Sequence, residues 1–149
     1  MRLILAPFLI LFGYGVAVAV ATAVTLALLL GIALMFDADG GGMAEFWRDL
    51  PTMYSGGFMM TFIYALPGFL LVLVLAWRLG WSHWSKFAVA GSADAVVALL
   101  LAGLHGGGMS GMLAPGMVLS CILGGFAGGA CYWSSAGRFL HFPRIAASN

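Results

Sequence analysis

A single acidic residue lies deep inside the apolar runs of this chain. Asp94 stands in KFAVAGSADAVVALLLAGLHGGG, Lys86 to Gly108, about eight residues from Lys86 and with no further charge before the run ends. A charged side chain at mid-bilayer costs at least about 2.5–3.5 kcal/mol, so such residues usually face a bundle interior or water. Counted from the predicted membrane faces, Thr22, Tyr64 and Ser120 fall at similar depth. Tyr64 and Thr22 are therefore expected to donate hydrogen bonds to the Asp94 carboxyl. His105 follows eleven residues later, about three helical turns, and so shares nearly the same helix face. Asp94, Tyr64, Thr22, Ser120 and His105 form the first candidate site. Its chemistry is either proton or cation binding, or a buried polar contact that fixes helix register.

A second candidate is softer. Eight of the nine methionines fall toward the predicted outer side, and His105, Met109 and Met112 share one glycine-rich stretch. Thioethers and imidazole suit Cu(I), so outer-face copper handling is a reading of these three residues. Methionine is also ordinary apolar filler, and no Met-x-Met repeat or Cys-x-x-Cys accompanies it. Cofactor-free function is the preferred expectation.

Other motifs fall away. FGYGV, Phe12 to Val16, contains the Gly-Tyr-Gly of potassium filters but lacks the preceding Thr-Val and a pore helix. Ser110 in GMSG matches the serine motif of rhomboid proteases, but His141 falls on the opposite side of the membrane by charge. His83 and His141 lie outside the spans and cannot form a buried haem pair. No Walker loop, dinucleotide fingerprint or zinc-protease motif is present. General acid–base work usually needs two convergent groups, and the membrane contains one, so no enzyme is expected.

The elements that hold these residues follow from composition. The chain has 149 residues, 63% hydrophobic and 7% charged. Soluble domains carry about 25% charged residues, so the bilayer must be the main solvent. A net charge of +1 gives no footing for nucleic acid. Crossing the hydrocarbon core takes about 20 helical residues. Four runs suffice: Leu3 to Phe36, Met53 to Trp77, Phe87 to Leu104 and Leu113 to Trp133. They do not alternate as barrel strands would. The expected fold is all-α, one membrane domain over residues 1–149, a four-transmembrane-helix bundle. The start of the first run also offers an A-x-A-like signal-peptide reading. Cleavage near Ala21 would leave only about fifteen apolar residues, too few to span, so an uncleaved helix is preferred.

Charge sets the direction. With both termini in the cytoplasm, Arg2, Arg78, Lys86, Arg138 and Arg144 all fall inside and only Arg48 outside. The positive-inside rule therefore predicts an N-in, C-in protein of the bacterial inner membrane. Trp77, Trp81, Trp84 and Trp133 then sit at one interface. In MAEFWRDL, residues 43–50, the apolar Met43, Phe46, Trp47 and Leu50 take one side. This predicts a short amphipathic helix on the outer face, ended by Pro51.

Small residues predict the packing. Helices in lipid associate by close backbone approach. The fourth run carries Gly116, Ser120, Gly124 and Gly128 at spacings of four, with Gly125 and Gly129 as a second pair, and the first carries Gly13, Ala17 and Ala21. This surplus of small faces predicts contact with a second copy or another membrane protein. The preferred functional expectation is an accessory or scaffold subunit that oligomerises. A small proton-coupled transporter or channel using Asp94 comes second, and copper handling third.

Overall fold

The computed structural model describes residues 2–36, 43–106 and 114–137, and all regular structure among them is helical. Helix α1 spans Arg2–Phe36, α2 Met43–Leu79, α3 Trp84–Gly106 and α4 Pro115–Tyr132, with a π-turn at Trp133–Gly137 closing α4. Each of the four helices is long and apolar enough to cross a membrane. Their outward faces are largely apolar: Phe8 is 71% exposed, Leu71 61% and Val89 63%. A surface of that kind in water would be an aggregation patch; in a bilayer it is the expected lipid face.

One boundary differs from the sequence expectation. Residues 43–50 are helical, but they continue without a break through Pro51 into α2. Pro51 and Pro67 both lie inside this 37-residue helix. A proline removes one backbone hydrogen bond and crowds the carbonyl four residues back. Ending the helix would orphan several polar groups instead of one, which is worse in apolar surroundings. At Pro115 no such bond is lost: Ala114 precedes α4 and Pro115 occupies its first turn, where the missing N–H has no partner to lose.

The turn between α2 and α3 is specified locally. Gly80 has a positive φ of 59°, and the Trp81 N–H reaches back to the Ala76 carbonyl at 3.0 Å. That is a Schellman C-cap, in which glycine takes the left-handed position without a Cβ clash. The Trp81 side chain packs against the buried cluster of Ala76, Phe87 and Tyr132, sealing the turn. Replacing Gly80 with Ala is expected to destabilise the protein by about 1 kcal/mol. The shift is read as a lower midpoint in detergent-denaturant unfolding; an unchanged midpoint would remove the cap from the account.

The helices form a ring in chain order, α1 beside α2, α2 beside α3, α3 beside α4, and α4 beside α1. They alternate in direction: Gly13 of α1 meets Ala136, whereas Ile32 meets Gly116. Backbone contact is closest around α4. Its Gly124 and Gly128 face Thr25, Ala21 and Ala17 of α1, and its Gly125 and Gly129 face Gly91, Ala95 and Phe87 of α3. Both glycine stripes of α4 are thus covered within one chain. The fold uses them internally, because α4 has a neighbour on each side.

Interhelical hydrogen bonds fix the register. Ser92 Oγ donates to the Ile122 carbonyl at 3.1 Å and Thr25 Oγ1 to the Ser120 carbonyl at 3.3 Å. Tyr14 OH donates to the Phe62 carbonyl at 2.7 Å and Tyr54 OH to the Ala19 carbonyl at 3.2 Å. Such bonds within membranes average about 0.6 kcal/mol each, so they specify alignment more than they stabilise. Helix α2 differs from the others. It meets α1 through the rings of Phe62 and Phe69 rather than through a small-residue stripe, and it stands off from the tight α1–α4–α3 group. The interior space of the bundle lies along its inner face.

Candidate functional site

Asp94 sits on the small-residue face of α3, with Ala90, Gly91 and Ala95 beside it on a shared cavity wall. Its carboxyl group lies directly over Gly68 of α2: a methyl group added at Gly68 would overlap the carboxyl, falling 2.8 Å from its Cγ. Bare backbone at this one position of α2 makes room for the acid. The residue is half-buried, and its Oδ1 is fully buried with no hydrogen-bond partner among the described residues.

The cavity around Asp94 measures about 80 Å³, well above the roughly 15 Å³ one water requires. Four aromatic rings line it: Tyr14, Phe69, Phe87 and Tyr132. They form a continuous chain, with centroid separations of 4.4 Å for Tyr14–Phe69, 5.1 Å for Phe69–Tyr132 and 5.9 Å for Phe87–Tyr132. The Tyr14 hydroxyl donates its hydrogen bond to the Phe62 backbone carbonyl. The Tyr132 hydroxyl is buried and, like Asp94 Oδ1, has no hydrogen-bond partner.

A second cavity of about 230 Å³ continues toward the other end of the bundle. The two share Ala21, Thr61, Ala95 and Gly125 in their walls, so they adjoin at that level. The second cavity is lined mainly by Leu26, Leu29, Leu99, Met60 and Met117, with the polar groups of Thr22 and Tyr64 among them. Thr22 Oγ1 is buried and without a hydrogen-bond partner.

The residues expected to form one site are therefore divided. Thr22 and Tyr64 line the second cavity and are absent from the wall of the Asp94 cavity. Ser120 is 1% exposed and lines neither cavity, although its Oγ is also unpartnered. His105 belongs to the last turn of α3, but its side chain, Met109 and Met112 lie outside the described residues. Among the described residues, no group of three or more His, Cys, Asp or Glu could hold a metal ion. Cys121 and Cys131 are free thiols.

The structure brings Gly68, Tyr14, Phe69, Phe87 and Tyr132 to Asp94 instead. Depth counting gave the level of the acid but not its lateral neighbours. A face count held part of the signal: Phe87, Gly91, Asp94 and Ala98 follow the i, i+4, i+7 pattern of one helical face, and Gly68 is a small residue among the bulky residues of α2. No family model matches the chain, and neither a curated protein nor a solved structure matches it.

Proposed function

We propose that the chain is a small multi-pass membrane transporter or channel in which Asp94 is a proton- or cation-binding site. One contrast carries the reading. Tyr14, Thr25, Tyr54 and Ser92 each use their hydroxyl to bond a neighbouring helix. Asp94 does not: its buried Oδ1 has no partner among the described residues, as is also true of the Thr22, Ser120 and Tyr132 hydroxyls, but of these four groups Asp94 alone is a carboxyl, and it lines a cavity. A carboxyl kept only to lock register would be expected to bond another helix, because an unsatisfied buried polar group costs about 1–3 kcal/mol or more. A carboxyl on the wall of a cavity can instead hold an exchangeable proton or a cation. The two adjoining cavities are the path assigned to it.

The membrane and its sidedness belong to the same proposal. The charge pattern supports an inner-membrane protein with both termini in the cytoplasm. The Asp94 cavity then lies in the cytoplasmic half and the larger cavity in the outer half. No chemistry of bond making is assigned to the site, since a single carboxyl without a convergent base or nucleophile supports binding rather than catalysis.

The test is proton flux in liposomes loaded with a pH-sensitive dye. Asp94→Asn keeps the shape of the side chain and removes its charge. It is expected to retain helicity and a monodisperse profile while flux falls to the level of empty liposomes. Wild-type-like flux from the variant would end the transporter reading.

A second reading, a self-associating or accessory subunit, has one observation in its favour. Ala23, Ala27 and Gly31 form a small-residue row on α1. Ala23 and Ala27 are exposed, and a methyl at Gly31 would meet nothing within 4 Å. Ala23 and Ala27 line an open groove against Phe46, Trp47, Leu50 and Pro51 of α2, and a groove floored by small residues suits close approach of a second helix. Ala27→Leu is expected to lower the apparent mass of the detergent-solubilised species in light scattering. An identical mass for both proteins would count against this reading.

A further inference from the structure

We infer that the Asp94 cavity binds an alkylated ammonium ion, tertiary or quaternary, whose hydrocarbon chain extends into the second cavity; this rests on Asp94 being the ion-binding group. Charge is the first argument. Among the described residues no cationic side chain lines the Asp94 cavity, so a negative charge there has no internal counterion. The titratable groups facing Asp94 across the cavity are Tyr14 from α1 and Tyr132 from α4; α2 contributes none. A cation from outside supplies the missing partner.

The walls select the kind of cation. Rings of Tyr14, Phe69, Phe87 and Tyr132 surround the space, and a cation within about 6 Å of a ring centroid is attracted by the ring quadrupole. A primary ammonium needs three hydrogen-bond acceptors. Besides the Asp94 carboxyl, the polar side chains of the wall are the hydroxyls of Tyr14, Thr61 and Tyr132; that of Tyr14 is already spent on the Phe62 carbonyl, and the other lining side chains are apolar. A small inorganic cation would lose its hydration shell with even less compensation, because hard cations take six or more oxygen ligands. An ammonium ion bearing one N–H or none loses least on entering. The second cavity, about 230 Å³ and with Leu26, Leu29, Leu99, Met60 and Met117 in a predominantly apolar wall, receives the alkyl chain. Because the cation and a proton compete for the same carboxyl, occupancy by one displaces the other.

The experiment uses the full chain in nanodiscs, with radiolabelled hexyltrimethylammonium as probe, empty nanodiscs subtracted, and a pH series. The wild type is expected to bind with affinity rising with pH and with release of one proton per probe where the carboxyl is protonated. Asp94→Asn abolishes binding. Phe69→Leu, which keeps an apolar wall but removes a quadrupole, weakens it about fivefold. Tetramethylammonium binds about tenfold or more weakly, because it lacks the chain. Binding of neutral 1-hexanol with equal affinity, or probe binding unchanged in Asp94→Asn, overturns the inference. Infrared difference spectra of the same samples separate the two levels of failure. A titrating carboxyl signal that vanishes in Asp94→Asn, with no probe bound, defeats the ligand and leaves the proton site. Absence of any such signal defeats both.

Discussion

Gly129→Leu is expected to pull α3 and α4 apart. A methyl at Gly129 would stand 2.8 Å from the Phe87 carbonyl carbon and 3.0 Å from Ala88 Cα. Both are backbone atoms, which cannot swing aside as a side-chain tip can. The helices must separate along a contact that also includes Gly91 and Gly125. Overpacking of this kind costs about 3 kcal/mol, against about 1 kcal/mol returned by the better helix propensity of leucine. In lipid no hydrophobic drive holds the helices together, so little else offsets the separation. The expected result is a clearly lower midpoint of SDS-induced unfolding, with faster alkylation of the half-buried Cys121 thiol. Gly15→Leu on α1 is the control, since a methyl there meets nothing within 4 Å. Equal midpoints for the two variants would contradict the packing described.

Gly68→Ala is expected to have the opposite profile: a stable bundle with a disabled site. Alanine gains about 0.5–1 kcal/mol over glycine in a helix interior. Its methyl would occupy the space now held by the Asp94 carboxyl. Unlike backbone, a carboxyl at the end of a short side chain can rotate away, so the fold accommodates the change and the site does not. Proton flux in liposomes is expected to drop at least tenfold while the unfolding midpoint stays level or rises. Gly56→Ala tests the specificity of that effect, because it lies on the same helix in open space and is expected to leave flux intact. Full flux in Gly68→Ala would mean that the observed seat of Asp94 does not matter for transport.

These two variants separate what glycine does in this chain. At Gly129 it permits backbone to touch backbone. At Gly68 it leaves a niche for one polar group. Sequence spacing reveals the first use, because Gly125 and Gly129 repeat at the small-xxx-small interval. It does not reveal the second, because a single glycine next to Pro67 reads equally well as a bend in α2.

The four apolar helices and their approximate limits are legible in the residues alone, since burying polar backbone in lipid admits few alternatives. The break at Pro51 was misread, because the cost of one lost hydrogen bond was weighed without that of ending a helix in apolar surroundings. Tertiary structure alone decided which neighbours Asp94 has and that the stripes of α4 are spent within the chain. Length and hydropathy fix how deep a residue lies, but the rotation of each helix about its axis is set by packing. That rotation brings Tyr14, Phe69, Phe87 and Tyr132 around the acid and turns Thr22 and Tyr64 toward the neighbouring cavity.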